Sequence, residues 1–222
     1  MTDTGLARFI DRFTMEHVRF YPHPVDRVWR AITVSELSAK WFTEVDFALE
    51  VGAPARFGPA DAPWWTSTVT AVDPPRLIEF GDPRPATGEG YMRYELFEVE
   101  SGCRMVFTQH FDPKGAFAAS PEDPLGGDLP GGPGTPWKPG FVGGWHDFFD
   151  RLGRSLDGRP INEMRDTAVT RIGDHAIERM QREHRLSDEV ADLLRTAIVE
   201  ADAWNELNEV YREHIRKTIP PA

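Results

Sequence analysis

Apolar and polar positions change rhythm several times along this chain, and each rhythm predicts an element. Leu6, Phe9, Ile10 and Phe13 stand at helical spacing and predict a short amphipathic turn or two at the start. From Phe13 to Tyr21 the period falls to two: Phe13, Met15, His17, Arg19 and Tyr21 alternate with Thr14, Glu16, Val18 and Phe20. Pro22 and Pro24 then end the run, so a strand is predicted. A helix follows from about Val25, opened by Pro24, with Val25, Val28, Trp29 and Ile32 on one face. Ser35 is placed to cap a second, short helix bearing Leu37, Trp41 and Phe42.

Between Glu44 and Phe111 the chain breaks into six short alternating runs separated by Gly and Pro: DFALEVG, PARFG, WWTSTVTAV, RLIEF, GYMRYELFEVE and CRMVFTQHF. Such spacing predicts a strand meander rather than alternating strand and helix units. In the last two runs Met92, Tyr94 and Leu96 share one face, as do Met105, Phe107 and Gln109. From Asp112 to Gly140, 14 of 29 residues are Gly or Pro, which predicts a long loop that is either a disordered insertion or a lid. Phe117, Leu125, Leu129 and Trp137 would be the lid's apolar side chains. The strongest helical stripe comes next, with Trp145, Phe148, Phe149, Leu152 and Leu156 on one face and Gly158 and Pro160 as its stop.

Beyond Arg159 the pattern stays helical. One helix is predicted near Asp174–Glu183. A longer one, capped by Ser187, carries Val190, Leu193, Leu194, Ala197, Ile198, Ala201, Trp204, Leu207, Tyr211 and Ile215. A face this wide needs a partner surface, on the same chain or on a second copy, and a homodimer through these helices is the expectation. The domain organisation predicted is thus residues 1–158 as one unit, interrupted by the loop of residues 112–140, and residues 159–222 as a helical extension.

Composition narrows the function. A 40% hydrophobic share with 7 Trp and 14 Phe supplies a core for a chain of 222 residues. The formal charge of -11 leaves no basic stripe for phosphate, so nucleic acid is excluded as a partner. With one cysteine, Cys103, no internal disulfide or thiolate metal cluster can form. The acidic N-terminus does not read as a secretion signal, and no apolar run reaches membrane-spanning length, so no membrane insertion and a cytoplasmic location are expected. His17, His23, His110, His146, His175, His184 and His214 contain no zinc-protease pair. His146 and Asp150 share a helical face but lack a third ligand, so no metal is expected. The absence of nucleophile-elbow, phosphate-loop and dinucleotide fingerprints gives no cofactor either.

The segments YPHPVDRVWRAITVSELSAKWF, VTAVDPPRLIEF, SGCRMVFTQHF and GGWHDFFDRLGRSL carry a resemblance. In that order they resemble the START-like helix-grip superfamily, also called SRPBCC, and within it the branch homologous to the activator of the heat-shock-protein-90 ATPase. The resemblance covers residues 13–158. It implies an α+β fold in which a curved antiparallel sheet wraps a long C-terminal helix and the two wall an apolar cavity. Superfamily members range from lipid carriers to polyketide cyclases to proteins that sequester a toxic natural product. The 112–140 loop and the helical tail depart from a compact member.

That architecture turns Trp41, Trp65, Met92, Tyr94, Leu96, Met105, Phe107, Gln109, Phe111, Trp145 and Phe149 into candidate ligand-binding residues. Taken singly, each reads as ordinary core packing. Tyr94 and Gln109 are the polar handles of an otherwise apolar chamber. His110 and His146 are the candidate general bases, though His110 has the opposite strand parity to Gln109. Catalytic residues stay unassigned. The leading expectation is binding, carriage or sequestration of a hydrophobic small molecule, of the aromatic or polyketide kind. The alternatives are a cyclase or aromatase, and a co-chaperone-like protein partner.

Overall fold

In the computed structural model, which describes residues 5–81, 90–112, 137, 139–161, 168–183 and 187–219, the period-two runs become strands. They are β1 (Arg8–Phe9), β2 (Thr14–Tyr21), β3 (Val45–Phe47), β4 (Pro54–Phe57), β5 (Trp65–Asp73), β6 (Leu77–Gly81), β7 (Tyr91–Val99) and β8 (Gly102–His110). All neighbours pair antiparallel in one eight-stranded sheet of order β1-β2-β8-β7-β6-β5-β4-β3. The crossover that places β2 beside β8 sets the first long strand next to the last, with only the short β1 outside it. Its helices are α1 (Val25–Thr33), α2 (Ser35–Ser38), α3 (Pro139–Leu156), α4 (Ala168–Arg182) and α5 (Asp188–Thr218). This is the α+β helix-grip arrangement, with a helical extension after α3.

Alternation decides which side of the sheet is covered. Met15, His17, Arg19 and Tyr21 of β2, Cys103, Met105 and Phe107 of β8, and Met92, Tyr94 and Leu96 of β7 are all buried. On α3 the buried positions are Val142, Gly143, Trp145, Phe149, Leu152 and Leu156, a stripe that lies on this face. Helix α1 packs on β7, β8 and α3 through the side that buries Val28, Trp29, Ala31 and Ile32. Gly158 ends α3 as a residue in the left-handed region (φ 69°), which lets the Arg159 N–H turn back onto the Arg154 carbonyl.

Three local expectations are corrected. The N-terminal turn is the short edge strand β1, paired with β2, because Ala7 is bonded through its N–H to the Tyr211 hydroxyl and through its carbonyl to His214 of α5. That tie holds the segment extended. Ser35 does not cap α2: it is the helix's first residue, and its hydroxyl accepts the Val45 N–H at the start of β3. The DFALEVG run yields only the strand Val45–Phe47, with Leu49 and Val51 exposed in the turn that follows.

Ser187 caps α5 by accepting the Val190 N–H. The buried residues of α5 are Ala191, Val199, Asp202, Tyr211 and Ile215, whereas Val190, Leu193, Leu194 and Trp204 are exposed. The expected single stripe is replaced by two successive contacts, on α4 and on α3 of the same chain. The second runs past Gly143, where an added Cβ would stand at ordinary contact distance from Leu207 (3.4 Å) and Tyr211 (3.6 Å). Tyr211, Ile215 and Ile219 thereby join the core cluster of the sheet. Among the described residues no helix is long and apolar enough to cross a membrane.

Candidate functional site

The residues expected to wall a ligand chamber fall into three groups. Tyr94, Phe107, Trp145 and Phe149 form one aromatic nucleus, with ring centroids 4.9 Å apart for Tyr94 and Phe107, 4.4 Å for Phe107 and Trp145, and 5.7 Å for Trp145 and Phe149. Trp41 joins it at 6.3 Å from Phe149, its indole N–H bonded to the Ala31 carbonyl. Met92, Leu96 and Met105 are buried on the same face of β7 and β8. Trp65 stands apart, stacked on Phe57 at 4.4 Å and linked to the nucleus through Phe42, which lies 5.4 Å from Trp145. Phe111 belongs to a different cluster with Trp137 and Phe141, at 5.3 and 5.6 Å. Of the expected lid, Phe117, Leu125 and Leu129 lie outside the described residues. Trp137 is buried, its indole N–H donating to the Arg12 carbonyl.

The two polar handles are unequal. Gln109 gives its side-chain amide N–H to the Tyr91 carbonyl at 3.1 Å, so the backbone already uses it. The Tyr94 hydroxyl is buried and among the described residues has only the Met92 thioether sulfur, at 4.0 Å. A thioether is a weak acceptor. Burial holds the Tyr94 phenol far above its ordinary range, so it is a neutral donor rather than a base. His110 shares a 2.9 Å hydrogen bond with the Thr14 hydroxyl and stacks on Tyr91, away from the nucleus.

His146 leads to a second constellation that strand and helix patterns alone do not predict. Its Nδ1 is 2.9 Å from the Tyr211 hydroxyl of α5, and its Nε2 is 3.5 Å from Asp150 Oδ2 one turn along α3. Tyr211 also accepts the Ala7 N–H at 3.0 Å. Arg19 of β2 donates to the Gly5 carbonyl and lies 3.8 Å from Asp150. Burial alone would raise the Asp150 carboxyl, but the bond to His146 and the charges of Arg19 and Arg154 hold it below the usual range. Beside this group sits His17, fully buried, its ring 5.4 Å from Phe149 and 6.2 Å from His146. Neither ring nitrogen of His17 has a hydrogen-bond partner among the described residues. A groove of about 620 Å³ runs along the outer side, between α3 and α5, with His146, Asp150, Phe148, Trp204 and Leu207 in its lining.

Comparison with known proteins decides the family. The family model of the Activator of Hsp90 ATPase homolog 1-like protein matches residues 22–157. The chain belongs to this family. Among solved structures, protein MLL2253 from Mesorhizobium loti is similar at 22% identity and a TM-score of 0.46, over 65% of this chain and 97% of that one. CalU16 from Micromonospora echinospora is similar at 16% identity and a TM-score of 0.46, over 92% of this chain and 95% of that one. No curated protein matches the chain.

The family match ends at residue 157, so Tyr211 and the rest of α5 lie outside it. Of the second constellation, His17 and Arg19 precede the match as well. One sequence signal could have found them: both stand on the strand parity of Met15 and Tyr21, two polar residues on an inward-facing register.

Proposed function

We propose that the protein binds a hydrophobic small molecule, of the aromatic or polyketide kind, between the sheet and α3, with the Tyr94 hydroxyl as the group that orients it. The observation that carries this reading is the buried Tyr94 hydroxyl with a thioether as its one partner among the described residues. A buried hydroxyl left without a proper acceptor costs about 1–3 kcal/mol. A ligand carbonyl or hydroxyl would recover that cost. The surrounding rings of Phe107, Trp145 and Phe149 touch each other, so an apolar ligand that moves them aside exchanges one aromatic contact for another. The activity proposed is carriage or sequestration. In this reading residues 1–158 hold the ligand and residues 159–222 are an added extension. Val190, Leu193 and Leu194, exposed on α5, would be the contact of a homodimer, for which sedimentation velocity is the test.

The ligand test is thermal unfolding against fatty acids, sterols, flavonoids and anthraquinones, for the wild type and Tyr94→Phe. One ligand class should raise the melting temperature of the wild type, by the equivalent of about 2.7 kcal/mol at 100 times its dissociation constant. Tyr94→Phe should leave the ligand-free protein as stable as before and lose most of the rise. A ligand-free Tyr94→Phe destabilised by more than about 1 kcal/mol, with no class raising the wild type, would make the hydroxyl a structural group and end the proposal.

A further inference from the structure

The seam where α5 meets the rest of the molecule is unusual in its polar chemistry. Among the described residues, the buried side-chain nitrogen and oxygen atoms without a hydrogen-bond partner include both ring nitrogens of His17, Nε and Nη2 of Arg19, and Oδ1 of Asn208. His17, its ring 6.3 Å from that of Tyr211, and Arg19 lie on β2, and Asn208 lies on α5 itself. A buried contact between two permanently joined surfaces normally satisfies such atoms, since each orphan is costly. Here they concentrate where a helix that lies outside the family match is laid on.

The groups facing His17 come from every neighbouring element. Arg19 stands beside it on β2. His146 faces it from α3, with Asp150 one turn along beside His146, and Tyr211 and His214 face it from α5. One carboxylate thus sits among one guanidinium and three imidazoles. Burial, then the charges of Arg19 and His146, push the His17 imidazole well below its ordinary range. The nearby Val142 carbonyl opposes this without meeting hydrogen-bond geometry. A short chain of hydrogen bonds also ties α5 to the body of the molecule. Tyr211 accepts from the Ala7 N–H and in turn donates to His146 Nδ1, the arrangement that satisfies each group.

We propose that α5 is a proton-sensitive cover, and that acidification releases its Tyr211–Ile215 segment from β2 and α3 while the sheet remains folded. Release hydrates His17 and Arg19, carries His214 away from them, and opens the groove that α5 walls. The direction follows from linkage. His17 titrates at a lower pH when covered than when released, so covering is fully favoured above the ordinary imidazole value of about 6.5 and weakens as pH falls below it. Each proton taken up on release shifts the equilibrium about tenfold per pH unit over that interval.

The test is hydrogen–deuterium exchange of the full chain from about pH 7.5 to about pH 5, corrected for the intrinsic pH dependence of exchange and read separately for α5 and for β7 and β8. In the wild type the opening of residues 203–218 should grow up to about tenfold per pH unit below about pH 6.5, with the β7 and β8 amides unchanged. His17→Gln, which stays polar but does not titrate, should flatten that slope. An unchanged slope in His17→Gln, or loss of protection in sheet and helix together, overturns the proposal. Should His17→Gln fail to fold, imidazole NMR of the wild type decides instead. His17 must titrate over the interval in which α5 opens, and a His17 that stays neutral while α5 opens also overturns the proposal.

Discussion

Phe107→Ala probes the aromatic nucleus at its centre. Phe107 is fully buried, with the rings of Trp145, Tyr94 and Phe149 at 4.4, 4.9 and 5.0 Å. Removing a buried phenyl ring costs about 3–5 kcal/mol, and the value depends on how far the neighbours collapse into the void. Here they are held. Trp145 stacks on Phe149, Phe149 leans on Trp41, and Tyr94 is fixed between β6 and β8 by its register with Ile78 and Phe107. The loss should therefore fall in the upper half of the range, about 4–5 kcal/mol, which lowers the melting temperature by roughly 8–20 °C for a chain of this size. Urea unfolding followed by tryptophan fluorescence measures it, with the slope of the transition unchanged. An apolar void of this kind accepts benzene, so saturating benzene should restore part of the stability. A loss under about 2 kcal/mol, with no response to benzene, would mean that the ring does not plug a packed interior, and the account of the nucleus would fail.

Two further outcomes follow from local geometry. Gly102, at the start of β8 with φ 153°, would place an added Cβ 2.2 Å from the Tyr21 carbonyl and 2.9 Å from Pro22, both rigid backbone. Gly102→Ala should cost about 3 kcal/mol or more by chemical denaturation, and a cost below about 1 kcal/mol would show that the β7–β8 turn yields easily. Burial pushes the Cys103 thiol up to about 11. At neutral pH it is therefore almost wholly protonated, and a disulfide reagent should label it only after denaturant is added, whereas stoichiometric labelling of the native protein within minutes would contradict its placement.

The fold was readable because its signals are short-range. Alternation in GYMRYELFEVE and CRMVFTQHF assigns the faces of β7 and β8 without knowledge of their partners, and the Trp145 to Leu156 stripe assigns the face of α3. Where the reading failed, a distant partner overrode local spacing. Leu6, Phe9, Ile10 and Phe13 sit at helical intervals, yet Ala7 is held extended by Tyr211 and His214, about two hundred residues further along. The α5 stripe failed for a related reason. A helix that meets α4 along one half and α3 along the other buries different faces in turn, so Leu193 is left exposed while Tyr211 is fully buried.

The candidate sites divide along the same line. Tyr94 and Phe107 could be nominated because they lie on neighbouring strands within one continuous pattern, and the resemblance says which face of that pattern looks inward. His17, Arg19, His146, Asp150 and Tyr211 come from three elements, and no periodicity connects them. What the sequence does hold is an anomaly: an imidazole and a guanidinium on the buried parity of β2, where β7 and β8 place mostly Met, Phe, Tyr and Leu. Burying an imidazole and a guanidinium with unsatisfied nitrogens is unfavourable unless something offsets it, and here the offset is the apolar contact of Tyr211, Ile215 and Ile219 with the core. The cover over the polar pair is therefore held by hydrophobic contact and opposed by the groups beneath it. Such a balance is set by pH wherever one of those groups titrates, which is why the charge state of His17, rather than any added contact, is the quantity on which the behaviour of α5 turns.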